Sequence, residues 1–347
     1  MVLGPYSPAS ESGRQPHPQA ELADLARAIG DELAGELKRA CRLSSQWTDE
    51  TAGFALLQTA MDRCLNRLAQ TGCWGRANQQ PSNAFWAATG SVLSLGSLQD
   101  RARNKPRGYA GDYEMFVQFY EGYCVDHPLG RLFDRYFQSQ AAVEAVRSRT
   151  SQIAAAIVSH RLTANGEAPY RIVSVGCGPA IDLELAIRWL PAELRGQLQV
   201  ALLDLDGDAI SHAIQRLGGV LSDNQLVGRR DNLYRLANNP AALEMLGHTD
   251  FLVCSGLFDY LPDEPAIGLL QAFWQRLNQG GAMLVGNFAP HNPTRAYMEW
   301  LGNWYLTYRT PGELLRLAEQ AGIPPSRAAV GAERLGIDLF LEAKNNG

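Results

Sequence analysis

The chain has 347 residues, with 31 Lys plus Arg against 36 Asp plus Glu and a net charge of −5, so it offers no basic footprint for nucleic acid. That length exceeds one ordinary domain and suits two. Cys41, Cys64, Cys73, Cys124, Cys177 and Cys254 form no Cys-x-x-Cys pair, and no apolar run approaches the ~18 residues of a membrane span, so the expectation is a soluble, unexported, cytoplasmic chain with free thiols.

Residues 1–19, where Pro5, Pro8, Pro16 and Pro18 lie among Ser, Gly and Gln, read as a disordered tail. From Ala20 the period turns helical: Leu22, Leu25, Ile29, Leu33, Leu37 and Cys41 recur at three- and four-residue steps, and Phe54, Leu57, Met61, Leu65 and Leu68 do so again. Further helices are predicted over 82–100, 112–123, 127–140 and 140–160, the last with Val143, Val146, Ile153 and Ile157 on one face. These segments make an N-terminal helical domain over 20–163. Within it Arg101, Arg103, Lys105 and Arg107 read as a solvated basic loop. Gly108 and Gly111 bracket Tyr109 beside Asp112, in backbone free to bend over a ligand as a lid.

The second domain spans 164–347, after the boundary at 163–169. Its first apolar run, from Tyr170, ends in Gly176-Cys177-Gly178 and passes into a helix at Asp182–Leu190. Two residues without Cβ at that turn let a ligand lie against bare backbone at a helix head. A dinucleotide site places a third glycine where this chain has Ile181; S-adenosylmethionine (SAM), which has no pyrophosphate, does not need it. The second run, Leu198–Asp206, closes in acids, and Asp204 is the candidate for the ribose hydroxyls. Asp206 is either a second ribose contact or an acid at the next helix N-terminus. A third run from Asp250 leads into Ser255, Gly256, Asp259 and Tyr260, in a loop where ligands of parallel sheets sit. After a helix at 264–277, the turn Asn278–Gly281 opens a fourth run ending at Asn287. Helix Pro311–Ala321 follows, then Arg327–Gly331 and Gly336–Ala343 as a closing hairpin with one antiparallel strand.

Taken in order, the Gly-x-Gly strand, acid-ended strand, Asp231-Asn232 turn, Ser255-Gly256 loop, Gly-Gly strand and terminal hairpin resemble class I SAM-dependent methyltransferases over about 165–347. The resemblance implies an α/β fold: a doubly wound, seven-stranded, mostly parallel Rossmann-like sheet preceded by the helical domain, which caps the substrate side. It implies SAM as cofactor, held by Gly176, Cys177, Gly178, Asp204, Asp206, Ser255 and Gly256, with Asp231 and Asn232 at adenine, although Asp231 also suits a turn cap. The chain departs from the family at Ser174, where an acid often precedes the first glycine by two places. The blocks Arg101–Met115, Gly256–Pro262 and Gly286–Arg309 are similar to bacterial 3-hydroxy-fatty-acid methyl ester synthases. That likeness extends the resemblance to roughly 100–347 and adds Tyr109 and Asp112 to the cofactor contacts.

The acceptor decides the chemistry. A carboxylate, with a reference pKa near ~4, arrives ionised and needs no base, whereas an amine or alcohol benefits from one. His291, between Pro290 and Pro293, is a base candidate or a turn residue, and Tyr260 is the second catalytic candidate. Arg309 and Arg295 are the guanidinium forks for an acceptor carboxylate. Asp259, Asn287, Trp304 and Tyr308 complete the substrate candidates. Tyr297, Trp300, Trp304, Tyr305 and Tyr308 form an aromatic stripe that either packs a core or lines a pocket. The expected function is biosynthetic carboxyl O-methylation of a 3-hydroxy fatty acid or related small molecule, with no metal, no nucleic acid and no membrane span, and with a homodimer left open. Alternatives are N- or O-methylation of an amino acid or secondary metabolite, an NAD(P)-binding oxidoreductase, and a non-catalytic binding protein.

Overall fold

The computed structural model describes residues 19–44, 50–164, 169–232 and 247–346. Of the tail assigned to 1–19, all but Gln19 lies outside them. The chain divides into a helical unit, running to Glu144 and including His291–Tyr305, and a sheet unit, Ala145–Pro290 with Leu306 onward.

The helical unit contains α1 (Gln19–Ser44), α2 (Glu50–Ala69), α3 (Gln79–Leu93), α4 (Ser97–Asn104), α5 (Tyr113–Glu121) and α6 (Pro128–Gln138). The stripe of α1 is buried at Leu22, Ile29, Leu33 and Leu37, while Leu25 is 44% exposed and lies off it. Asp112 caps α5 by accepting from the Met115 N–H, and His127 caps α6 ahead of Pro128 at its first position. The single helix expected over 82–100 is two, because the chain turns at Gly96, where a Cβ would sit 2.7 Å from that of Phe133. Only glycine permits this approach to α6.

Residues 291–305, expected in the second domain, belong to the helical unit. Their π-helical turn Tyr297–Leu301 carries Trp300, which is fully buried and whose carbonyl accepts from Ser82 Oγ at 2.9 Å. Glu299 accepts from the Gly75 N–H at 2.6 Å and from Asn78 Nδ2 at 3.2 Å. In Tyr297 and Trp300, therefore, the aromatic stripe is core.

Helix α7 (Ala141–Thr163) enters the sheet unit at Ala145, so that unit begins before the boundary expected at 164. Its strands are β1 (Tyr170–Val175), β2 (Leu198–Asp204), β3 (Leu226–Arg230), β4 (Thr249–Cys254), β5 (Leu277–Phe288), β6 (Ala328–Ala332) and β7 (Asp338–Lys344). They form one sheet of order β3-β2-β1-β4-β5-β7-β6, with β1 to β5 parallel and β7 antiparallel to both neighbours, as a doubly wound methyltransferase-like sheet requires. Its described helices are α7, α8 (Ile181–Trp189), the single turn α9 (Ala192–Arg195), α10 (Gly207–Leu217), α11 (Asp263–Arg276) and α12 (Pro311–Gln320).

Alternation along the strands divides the core in two. Val173, Val175, Leu203, Leu252 and Val285 pack with Leu269, Phe273 and Leu317 of α11 and α12. Ile172, Val200, Leu202 and Val253 pack with Ile153, Ile157, Leu183, Ile187 and Leu217 of α7, α8 and α10. Burial on both faces is why β1, β2 and β4 read as continuous apolar runs. The predicted Asn278–Gly281 turn is instead an irregular start to β5, where pairing jumps from Thr249↔Leu277 to Phe251↔Ala282.

Gly286 sets how closely β5 approaches the end of β4, since a Cβ there would meet the Ser255 carbonyl oxygen at 2.7 Å. Gly286→Ala is expected to cost roughly 1–3 kcal/mol in urea denaturation, whereas Gly331→Ala, with nothing within 4 Å of the new methyl, should change stability by under about 0.5 kcal/mol.

Candidate cofactor-binding site

The parallel pairing of β1 with β2 brings the glycine turn and the acid together. Gly176 and Cys177 donate to the Leu203 carbonyl at 2.8 and 3.0 Å, and the Gly178 N–H donates to Asp204 Oδ2 at 2.9 Å. Gly176 and Gly178 take φ of +67° and +49°, the left-handed region that favours glycine. A Cβ at Gly178 would meet nothing within 4 Å, so bare backbone faces open space. The next helix, α8, starts from Ala180 at φ +52° with no side-chain cap. Holding a residue with a Cβ there stores on the order of 1 kcal/mol.

Asp204 is 6% exposed, and its Oδ1 accepts from the Asp206 N–H at 3.0 Å. Burial pushes its pKa up, and the N–H groups of Asp206 and Gly178 oppose that. The N–H groups of Asp206, Gly178 and Leu205 act on this carboxylate, and a carboxylate with about four acceptor sites keeps capacity for a further donor. After β3, the Asp231 N–H donates to the Asp204 carbonyl at 2.9 Å, and Asp231 Oδ1 accepts from the Asn232 N–H at 2.8 Å. Gly176, Cys177, Gly178, Asp204 and Asp231 thus share the carboxyl edge of β1 to β3. Asp206 caps α10 by accepting from the Asp208 N–H, the helix-terminal use of the two weighed for it. Cys177 is 7% exposed, and burial raises its thiol well above the usual range, so its contribution is backbone.

At the ends of β4 and β5 lies a charge network that sequence reasoning missed. Arg149 of α7 donates to the Ser255 carbonyl at 2.9 Å and to Asp338 Oδ2 at 2.8 Å, and the pair is nearly inaccessible to solvent. Asp338 Oδ1 is buried with no partner among the described residues. Asp182, in the first turn of α8, has its pKa raised by burial and held back by the Leu183 N–H and the Arg149 charge. The visible signal was positional: Arg149 falls in step with Val146, Ile153 and Ile157, a cation on an apolar stripe.

Several substrate candidates prove to be framework. Asp259 Oδ1 accepts from the Phe288 N–H at 2.7 Å and from Asn287 Nδ2 at 3.1 Å. Asn287, fully buried, also donates to the Thr307 carbonyl at 2.9 Å. Arg309, expected as the acceptor fork, is 2% exposed and donates to the Phe258 and Leu261 carbonyls, Asn287 Oδ1 and Asp263. With its fork turned inward, it stitches the loop after β4 to β5 and is corrected to a structural residue. Tyr260 is half-buried on a 3₁₀ turn, and Tyr308 is half-buried in the same unit.

In the helical unit, Arg295 pairs with Glu299 at 2.7 Å and stacks over Trp74 at 4.8 Å. His291 is exposed in a turn and has no orienting hydrogen bond among the described residues, which suits the turn role better than the base. Trp304 is half-buried, its N–H donating to the Met298 carbonyl at 2.9 Å. Gly108 and Gly111 do take positive φ around the half-buried Tyr109. Asp112, however, is 1% exposed, caps α5 and receives Arg101 Nε at 2.8 and 2.9 Å, so its carboxylate is engaged within its own unit. Among the described residues no three His, Cys, Asp or Glu are grouped to hold a metal ion, and no helix is long and apolar enough to cross a membrane.

No protein-family model matches the chain, and no curated protein matches it. Among solved structures it is similar to a possible exported protein from Bordetella parapertussis, with TM-score 0.56 and 18% identity over 98% of this chain and 100% of that one. It is also similar to the CurJ carbon methyltransferase, with TM-score 0.50 and 11% identity over 96% of this chain and 94% of that one. At these identities the likeness is one of fold, and the fold is the Rossmann-like one of methyltransferases.

Burial and the neighbouring Asp338 push Asp259 up to about 8, opposed by the Phe288 N–H and the charges of Arg149 and Arg309. Its ionisation is therefore costlier in the folded chain than in the unfolded one. The sign follows: Asp259 withdraws stability as pH rises from the ordinary carboxylate value of 3.8 through about 8. Asp259→Asn, which keeps an oxygen for Asn287 and Phe288, is expected to flatten that decline when urea denaturation is compared at about pH 5 and about pH 8.

Proposed function

We propose that the chain is a SAM-dependent methyltransferase acting on a small molecule. The carrying observation is the pair of left-handed glycines at the end of β1, open to a ligand at Gly178 and bonded to the buried Asp204 carboxylate. In this reading Gly176–Gly178 supply backbone against the cofactor, Asp204 accepts the ribose hydroxyls, and Asp231 and Asn232 lie at the adenine. Ser174 lacks the acid expected before the glycines, and Asp182, in the first turn of α8, is the carboxyl proposed for the methionyl ammonium. When bound, the cofactor supplies a methyl group on a sulfonium for in-line displacement. The protein's contribution is alignment and exclusion of water.

The favoured acceptor is a carboxylate, esterified as in the 3-hydroxy-fatty-acid methyl ester synthases that the sequence resembles. Among the described residues His291 has no partner to orient it as a base, and a pre-ionised acceptor needs none. In the sheet unit Tyr260 and Tyr308 remain the residues proposed for the acceptor, and the setting proposed is cytoplasmic biosynthesis.

Titration calorimetry is expected to give SAM binding and no NADH binding. Asp204→Ala should weaken SAM at least about tenfold, with circular dichroism unchanged. NADH binding in place of SAM turns the reading to an oxidoreductase, and unchanged SAM affinity in the variant removes Asp204 from the ribose.

A further inference from the structure

The charge network where β4 and β5 end and β7 begins buries more acid than base: Asp259, Asp338 and Glu333 against Arg149 and Arg309. Arg149 reaches it from α7, and a single nitrogen, Nη1, serves both the Ser255 carbonyl at 2.9 Å and Asp338 Oδ2 at 2.8 Å. A Cβ at Gly256 would stand 3.8 Å from the other terminal nitrogen, Nη2, so the guanidinium lies against both residues of that loop. Asp338 is opposite Phe288 in the β5–β7 register, and the Phe288 N–H donates to Asp259 Oδ1 at 2.7 Å. One strand pair thus brings the two carboxyl groups to the same end of the sheet, both buried.

Arg149 is the cation whose charge acts on both acids, whereas Arg309 is bonded to Asp263, Asn287 Oδ1 and two carbonyls. The other ionisable groups facing the pair add no positive charge: Glu333 between β6 and β7, the buried Cys254 thiol of β4, and Asp182 of α8, which shares Arg149. Two ionised carboxyl groups so placed repel each other, and such a pair keeps one proton to a higher pH than either acid alone. The hydrogen bonds mark where that proton lies. Asp338 Oδ1 is buried and lacks a donor among the described residues. Asp259 takes both of its donors, the Phe288 N–H and Asn287 Nδ2, on Oδ1, the arrangement of an acid whose Oδ2 carries hydrogen. A hydrogen on Asp259 Oδ2 is the donor that Asp338 Oδ1 is missing. Burial raises both groups above the ordinary carboxylate range, in agreement with that placement.

We propose that Asp259 and Asp338 hold one proton between them, and that Arg149, Asp338 and Asp259 act as positioning residues that fasten the Ser255–Gly256 loop to β7. With the proton in place, Asp338 carries one negative charge and Arg149 bridges it to the Ser255 carbonyl. Loss of the proton to solvent sets a second anion beside Asp338 and draws Arg149 from the neutral carbonyl toward the acids. A second proton, gained at low pH, removes the anion that orients Arg149. The loop is therefore held best where the pair carries a single proton. That this loop contacts SAM rests on the methyltransferase reading above; the shared proton and its hold on the loop do not.

Carbon-13 NMR of the full chain labelled at the aspartate carboxyl carbon reads the proton directly. One carboxyl, absent from Asp259→Asn and shifted in Asp338→Asn, should still be protonated at about pH 6.5, far above the ordinary aspartate range. Hydrogen exchange of the amides at 255–261, corrected for the intrinsic effect of pH, reads the loop. Wild-type protection should fall about tenfold or more between about pH 7 and about pH 9.5. Asp259→Asn, whose amide is a permanent donor toward Asp338, should keep its protection over that range, and Arg149→Gln should lack it throughout. SAM affinity by calorimetry should follow the same three patterns. The proposal is overturned if every aspartate is ionised at about pH 6.5, if Asp259→Asn keeps the wild-type pH profile, or if Arg149→Gln protects the loop as the wild type does. The NMR and exchange patterns in a chain that does not bind SAM uphold the shared proton and remove the methyltransferase reading.

Discussion

The parallel pairing of β1 with β2 is the constraint on which the candidate cofactor site depends. Register places Val175 against Leu203, so the chain leaves β1 where Asp204 ends β2, and the Gly178 N–H falls on the Asp204 carboxylate. The seat is thus made by sheet geometry and two missing Cβ atoms, with side-chain chemistry reduced to one acid. In the proposed reading this seat holds the nucleoside and leaves the second substrate open, since a fold does not by itself determine what is bound.

Legibility in the sequence followed the range of the forces involved. The strands were readable because burial on both faces leaves no polar interruption in β1, β2 and β4. The closing hairpin was readable from its spacing. The position of Asp204, at the end of β2 beside the glycine turn, was readable from strand order alone. What the sequence hid was set by contacts between distant segments. Gly96 breaks a helix because Phe133 comes close, and Arg309 faces inward because Phe258, Leu261, Asn287 and Asp263 surround it. No local pattern distinguishes an arginine that will meet a ligand from one that will meet four internal oxygens.

Charge is distributed unevenly between buried places, and the imbalance has opposite sign in the two units. In the sheet unit Asp182, Asp259 and Asp338 gather around Arg149, with carboxyl groups shifted upward by burial. In the helical unit Arg103 and Lys105 meet no acid among the described residues and shift downward by desolvation. Burial without a counter-charge is tolerated where the folded chain compensates by other means or where a ligand completes the site.

The passage of His291–Tyr305 through the helical unit has a consequence for synthesis on the ribosome. Trp300, buried there and held by Ser82, is made after most of the sheet unit has been translated. The N-terminal helices, the last of which ends at Gln138, therefore emerge roughly 160 residues before Trp300. The helical unit is complete only once the chain has passed through β1 to β5, so the two units are not finished in the order in which they begin.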